Sequence, residues 1–464
     1  MITPKEIVYM TNPSSASSFH AIPNLLTSTN GNRLRRRRTG QPGEAENPGP
    51  ESCCSLLPRA ERSSAIRAGC SISAVILALC LISNVCTARV HDVLCHNGNS
   101  SFAADFRTGI KVIVGPQKSG ELAKRVCQAA LGWDRQNLLV ASEASEIDLD
   151  MFGVDLDTNQ PVAAFQIKTS ETQCCMTYQI YLLEKPPRLL RTISGGAFFS
   201  AADTDLDGRV EIWTDDAAAV DGFDGLLARE MEFVPIYVLR LEHERLLDVS
   251  AEFQTYFNQV IAKLKAEITP AALRNFKLSD GKLRHDTPSS PKELTRLTEL
   301  NAVKIRVLEI AWAYLYSGRE QEAWQTLLEM WPDEDVERIR SEIVRTRAHG
   351  MYTQLDGVLK SAAVAGKERA KIYRQSEVTP AQPILLGCYA APCGLRNQPV
   401  PEAKARLDLV IDSAGKVRSV KPAGSKDAAD EYVIRSAEEW KFIPAFKAGR
   451  SVASRLRAAV ALMR

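Results

Sequence analysis

The stretch ARLDLVIDSAGKVRSVK, residues 405–421, decides the fold predicted for the C-terminal part of the chain. Its first half alternates, so that Leu407, Leu409 and Ile411 fall on one face of a strand and the intervening residues on the other. Residues 413–416, Ser-Ala-Gly-Lys, then favour a tight turn into a second strand. The pattern therefore predicts an antiparallel β-hairpin.

The residues that follow this hairpin complete a small layer. DAADEYVIRSAEEW, residues 427–440, predicts an amphipathic helix with acidic residues at its start, where the helix dipole favours them. The block WKFIPA and a turn at Gly449 then lead into a last strand from about Ser451 to Leu462. The order strand, strand, helix, strand predicts a small α+β domain over residues 396–464.

Together these pieces resemble the C-terminal domain of TonB and TonB-like energy-transducing proteins. The resemblance implies a periplasmic protein that docks a protein partner, an outer-membrane transporter, by adding a strand of the partner to an exposed sheet edge. In this chain that edge would lie near Ser451, Val452 and Leu456. The chain lacks the family's proline-rich spanner and the Tyr-Pro before the first strand, so partner docking is what we carry over. The matching residues are the hairpin 410–420, the helix 427–440, Trp440–Ala445, Gly449 and Val452.

A second stretch, AADTDLDGRVEIWTDD, residues 201–216, carries acids at alternate positions. Hard oxygen ligands at alternate positions let one turn wrap a calcium ion, and a glycine permits the sharp reversal. The sequence therefore predicts a structural Ca²⁺ site, and the alternative is an acidic turn that holds only water. The predicted ligands at loop positions 1, 3, 5, 7 and 9 are Asp203, Asp205, Asp207, the Arg209 carbonyl and Glu211.

The residues that follow the acidic stretch indicate which type of calcium loop it would form. A helix-loop-helix site would need Glu at position 12, where this chain has Thr214, and RVEIW reads as a strand. Residues 202–215 weakly resemble the calcium-loop repeats of integrin-type (FG-GAP) proteins, and a partial copy lies at 154–167. We therefore expect the shorter β-hairpin type of site.

The rest of the chain divides by its hydrophobic period. Residues 89–250 are dominated by short β-branched and aromatic runs, interrupted by one predicted helix at 119–133. Residues 251–375 have a helical period, and the proline-rich residues 376–395 predict a linker. The predicted fold class is α+β and multi-domain, with a β-rich N-terminal domain, an α-helical middle and a small C-terminal α+β domain.

The N-terminal residues predict export. Residues 1–65 are rich in Ser, Pro, Asn and Arg and predict a disordered leader, or sequence upstream of the true start. Residues 66–88 bring an apolar run after basic residues, which predicts a signal peptide or an uncleaved transmembrane helix that anchors the chain. We therefore expect the rest of the chain in the periplasm, free or held at the inner membrane. Its nearly balanced charge gives no case for a nucleic-acid partner.

Six cysteines follow the leader, an even number in an oxidising compartment. Cys388 and Cys393 bracket a short loop and are the first candidates for a disulfide, with Cys95 and Cys127 as further candidates. A zinc site at the first pair is the rival, but no His or Cys stands nearby at ligand spacing.

Motifs for catalysis are missing from the sequence. It has no phosphate-binding glycine loop, no G-x-S-x-G and no H-E-x-x-H. We therefore predict a cell-envelope protein that is not an enzyme, acts through protein binding by its TonB-like part, and assists TonB-type transport. The alternatives are a calcium-stabilised adhesion or carbohydrate-binding protein and, third, an envelope hydrolase.

Overall fold

A computed structural model describes residues 94–119, 124–158, 160–170, 174–283, 290–359, 370–385, 405–423 and 431–460. The predicted leader, the apolar segment 66–88 and the pair Cys388 and Cys393 lie outside these residues. In the described part, no helix combines the length and apolar character that crossing a membrane requires.

Two antiparallel sheets begin the described chain. A four-stranded sheet has the order β2-β3-β4-β5, and a five-stranded sheet has the order β1-β6-β7-β8-β9. Their facing sides enclose an apolar core that includes Val112, Leu131 and Phe152. The strands are β1 (Cys95–His96), β2 (Phe102–Asp105), β3 (Lys111–Ser119), β4 (Lys124–Trp133), β5 (Gln136–Ala144), β6 (Glu146–Asp155), β7 (Pro161–Lys168), β8 (Met176–Leu182) and β9 (Arg188–Gly196).

A third sheet is covered by helices. Its order is β10-β11-β12-β13-β14, antiparallel except for the parallel pair β13–β14. One core joins this sheet to the second sheet and to the helices, and another fills the space between Trp213, Phe257 and Ile310. The elements are β10 (Phe199–Ala202), β11 (Glu211–Asp215), α1 (Ala217–Val220), β12 (Ile236–Glu242), β13 (Arg245–Asp248), α2 (Gln254–Glu267), α3 (Pro270–Lys277), α4 (Pro291–Tyr316), α5 (Glu320–Met330), α6 (Val336–Arg347) and β14 (Gly357–Val358).

The C-terminal residues form a layer, here called the C-terminal layer, around a three-stranded sheet of order β17-β16-β21. Leu407, Leu409 and Ile411 of its middle strand are buried. They share a core with Val433 of the helix α7 and with Trp440, which follows that helix. Two further pairs, β15–β18 and β19–β20, flank it. The elements are β15 (Gln382–Leu385), β16 (Ala405–Ile411), β17 (Val417–Pro422), α7 (Glu431–Glu438), β18 (Lys441–Ile443), β19 (Ala445–Lys447), β20 (Arg450–Val452) and β21 (Ser454–Val460).

The predicted fold class, α+β and multi-domain, is wrong. Strands hold 39% of the described residues and form several antiparallel sheets, helices hold 33%, and all the described residues belong to one compact unit. The helices between 254 and 347 pack on the third sheet and share its cores, so they do not form a separate helical middle. Periodicity shows which residues of an element are buried, but not which element buries them.

The helix predicted at 119–133 is also wrong, because β4 occupies Lys124–Trp133. Val126 and Ala130 fit a helical spacing, but Cys127, Ala129 and Leu131 are all fully buried and alternate at the period of a strand. A second signal of the strand is the disulfide from Cys127 to Cys95, which joins β4 to β1.

Candidate metal centre

The acidic stretch forms the loop of a β-hairpin. Strands β10 and β11 pair with Ala202 opposite Glu211, so Asp203 opens the loop where the ladder ends. The Asp203 Oδ2 accepts a hydrogen bond from the Gly208 backbone N–H at 3.1 Å, which curls the loop around this carboxylate. Gly208 has a φ of +90°, a conformation that favours glycine. Asp203 therefore lies in the loop of a β-hairpin, which closes around its carboxylate.

Three of the predicted ligands gather at this loop. Asp203, Asp205 and Glu211 each place a carboxylate oxygen within 4.8 Å of the other two. Asp203 and Glu211 are fully buried, and the Asp203 Oδ1 is a buried atom without a hydrogen-bond partner among the described residues. Leaving a buried carboxylate oxygen unsatisfied costs free energy, and a calcium ion bound by oxygens at 2.3–2.6 Å would remove that cost. The donor set therefore fits a calcium ion.

Burial changes the acidity of these groups. It raises the pKa of Asp203 to about 7, with Asp412 acting in the same direction and the Ser413 hydroxyl against it. Burial also raises the pKa of Glu211 to about 8, although the guanidinium of Arg240 lowers it. Both shifts follow from holding several acids in one desolvated place. A bound cation would supply the positive charge that a proton otherwise brings.

Glu211 is held in place from two sides. Its Oε1 accepts a hydrogen bond from the Arg240 Nη2 at 2.8 Å, and its Oε2 accepts one from the Thr204 N–H at 3.0 Å. Arg240 is only 2% exposed and also donates to Glu252. Because Arg240 offsets part of the acidic charge, the cluster suits a divalent better than a trivalent ion.

Asp207, the fourth predicted carboxylate ligand, lies elsewhere in the loop. Its Oδ2 accepts hydrogen bonds from the Arg209 guanidinium at 2.9 Å and 2.5 Å, and its Oδ1 accepts the Arg209 N–H. The structure thus brings the carboxylates of Asp203, Asp205 and Glu211 together, whereas the carboxylate of Asp207 is hydrogen-bonded to Arg209. The Arg209 carbonyl stays a predicted ligand.

The site also contains residues that sequence reasoning missed. The turn of the C-terminal hairpin inserts beside the acidic loop, where the Asp412 Oδ2 accepts the Asp203 N–H at 3.1 Å. Ser413 Oγ donates to Asp203 Oδ2 at 3.0 Å, and Arg418 Nη2 donates to the Thr204 carbonyl at 3.0 Å. Asp412 and Ser413 are both fully buried. The sequence predicted a tight turn here but no contact with the acidic loop, because no local pattern links residues 209 positions apart.

Ion pairs attach the C-terminal layer to β6. Lys416 Nζ lies 2.5 Å from Asp150 Oδ1, and Lys441 Nζ lies 2.5 Å from Asp148 Oδ2. Apolar contact adds to them, since Ile443 and Phe446 belong to the core between the first two sheets. The C-terminal layer is therefore integrated into the body of the protein through both charge and packing.

The predicted partner-binding residues take different positions. Ser451 and Val452 lie in β20, which pairs with β19, and Ser451 Oγ accepts the Asp155 N–H at 3.1 Å. Leu456 lies in β21 with its side chain in the core of the C-terminal layer. Ala453 lies between β20 and β21 and belongs to neither, so the single last strand that the sequence predicted is divided in two. β21 is one of the two edge strands of the three-stranded sheet, and β17 is the other.

The outer edge of β21 is paired only at its beginning. Arg455 N–H donates to the Tyr373 carbonyl at 2.9 Å, and Tyr373 N–H donates to the Ala453 carbonyl at 3.0 Å. Within the described part of the chain, backbone bonds to this edge end at Arg455. By the alternation of a strand, the N–H of Arg457 points to the same side.

Two disulfides lie among the described residues, Cys95–Cys127 and Cys174–Cys175. The first joins two of the candidate cysteines, and the second, between neighbours in sequence, was not predicted. Comparison with known proteins adds no relative, because no family model, curated protein or solved structure matches this chain.

Proposed function

We propose that this protein is a cell-envelope protein that is not an enzyme and binds a protein partner through the outer edge of β21. The observation that carries the proposal is the backbone of this strand beyond Arg455, which has no partner strand among the described residues. An extended peptide can pair with such an edge through main-chain hydrogen bonds. The TonB-like resemblance of residues 396–464 favours an outer-membrane transporter as the partner and the periplasm as the location.

A proline in β21 tests the proposal. Arg457→Pro removes the outward N–H, and a proline is tolerated on a strand edge where the N–H faces solvent. The control Arg457→Ala keeps the N–H and removes only the exposed ion pair with Asp408. In pull-downs of solubilised outer-membrane proteins, we expect the parent chain and the alanine variant to recover a transporter and the proline variant to lose it. Recovery of no transporter by the parent, or equal recovery by all three, contradicts the proposal.

We further propose that the acidic cluster binds one structural calcium ion. The observation in its favour is the buried Asp203 Oδ1, which has no hydrogen-bond partner among the described residues and lies within a group of three carboxylates. In this proposal Asp203, Asp205 and Glu211 bind the ion, and its chemistry is that of a fixed positive charge that stiffens the loop. The alternative function, a calcium-stabilised adhesion or carbohydrate-binding protein, would have its calcium ion at this same site.

Melting temperature measured against pH, with calcium or with chelator, tests this site. With chelator we expect stability to fall as pH rises from about 4 to 8, because folded Asp203 and Glu211 hold protons that the unfolded chain has released. Calcium should reduce that fall. At pH 7.5, Asp205→Asn should abolish the calcium-dependent rise in melting temperature, whereas the control Asp157→Asn, in the β6–β7 loop, should keep it. Equal melting of the parent with and without calcium contradicts the site.

A further inference from the structure

The turn at residues 412–416, here called the hairpin tip, shares a carboxylate with the proposed calcium site. Asp203 Oδ2 accepts hydrogen bonds from Gly208 N–H inside the loop and from Ser413 Oγ in the hairpin tip. With both bonds on Oδ2, the buried Oδ1 is the oxygen left for an ion. Ser413 therefore orients a group that the ion would contact, although Ser413 itself is not a ligand.

When no ion is bound, electrostatic repulsion opposes the docking of the hairpin tip against the acidic loop. Asp203 and Asp412 are both fully buried and belong to the two sides of the contact, joined by the bond from Asp203 N–H to Asp412 Oδ2. Like charges held close in a desolvated place repel each other. Lys416 and Arg418 offset part of this charge, but both are also bonded to other groups, Asp150 and the Thr204 carbonyl. A calcium ion at Asp203 would lower the remaining repulsion.

The hairpin tip is connected directly to the sheet of the C-terminal layer. Asp412 follows the last residue of β16, and β16 pairs along its whole length with β21, from Ala405 opposite Val460 to Ile411 opposite Ser454. The turn is itself closed by Asp412 Oδ1, which accepts the N–H groups of Ala414 and Lys416 at 2.9 Å. An ion that fixes Asp412 and Ser413 would therefore also order β16 and its partner strand.

We propose that calcium binding at Asp203 and docking of the hairpin tip are thermodynamically coupled, with Ser413 and Asp412 as the positioning residues that join them. The inference rests on the calcium site proposed above and adds a regulatory role to it. Coupling is reciprocal, so docking raises calcium affinity by the same factor by which calcium favours docking. Calcium would then control how well β21 is ordered to receive a partner strand.

Two measurements on the full exported chain test the coupling. Calorimetric titration with Ca²⁺ should give an affinity about 3- to 10-fold lower for Ser413→Ala than for the parent, the effect of losing one hydrogen bond of ordinary net strength. The matched control Ser419→Ala, in β17 of the same hairpin, should leave the affinity unchanged. In hydrogen exchange, calcium should slow the amides of residues 405–422 in the parent and slow them less in Ser413→Ala.

The outcomes separate the two proposals. If the parent chain binds no calcium, the calcium site fails and the coupling fails with it. If the parent binds calcium but Ser413→Ala binds equally well and exchange at 405–422 is unaltered, the coupling alone is overturned. Lower calcium affinity in Ser413→Ala together with weaker calcium-dependent protection of residues 405–422 supports the coupling.

Discussion

Replacing Gly415 by alanine is expected to lower the free energy of unfolding by on the order of 3–5 kcal/mol, the range of severe single substitutions. Gly415 has a φ of +82°, and an added Cβ would lie 1.9 Å from the Phe442 carbonyl oxygen and 3.0 Å from its carbon. These are backbone atoms of β18, and the Phe442 side chain is buried, so they cannot move aside cheaply. The clash adds to the cost of roughly 1–2 kcal/mol for a left-handed alanine.

Gly449 provides the matched control for this substitution. It lies in the same layer with a φ of +87°, but nothing lies within 4 Å of an added Cβ. Gly449→Ala should therefore cost only the conformational term, roughly 1–2 kcal/mol. Urea denaturation of both variants measures the difference. Equal destabilisation of the two would contradict the close approach of β18 to the hairpin tip.

Lys416→Met is expected to cost about 3–5 kcal/mol, because it leaves the buried charge of Asp150 without its cation. Asp150 is 4% exposed and also accepts hydrogen bonds from Tyr178 Oη at 2.7 Å and the Ala201 N–H at 2.8 Å. Methionine keeps most of the apolar stem of lysine, so the loss is mainly electrostatic. Denaturant unfolding of the variant and of the double variant with Asp150→Asn measures it.

The double variant should recover part of the lost stability, since the amide no longer requires a counter-charge. An exposed pair serves as the comparison: Arg457 and Asp408 lie 2.7 Å apart at the surface, and Arg457→Met should cost about 0–1 kcal/mol. A cost for Lys416→Met as small as this would show that the pair with Asp150 does not attach the C-terminal layer.

Sequence reasoning located what is encoded locally. The strands β16 and β17 lie where the alternation of Leu407, Leu409 and Ile411 and the turn at Gly415 place them. The acidic loop is a hairpin loop, as the strand after it indicated. Both predictions depend on strand alternation and on turn residues, which are signals between residues close together in the sequence.

The features that the sequence did not reveal depend on contacts between residues that are far apart in the chain. Asp412 and Ser413 reach Asp203 from a layer that is also attached to β6 through Asp148 and Asp150. These two acids of β6 pair with lysines 266 and 293 positions away, a contact that no local pattern indicates. The error in fold class has the same origin, since the hydrophobic period of each helix is the same whether it packs on helices or on a sheet.

The insertion of the C-terminal layer against β6 also bears on how the chain reaches its native state. Contacts across more than 200 residues give a high contact order, and such topologies close slowly because long loops must be formed first. During synthesis, the acids of β6 and the apolar residues that meet Ile443 and Phe446 emerge long before their partners. In this interval the unpartnered apolar surface of the nascent chain is prone to aggregate, and a chaperone at that stage would protect the growing chain until residues 405–460 have been added.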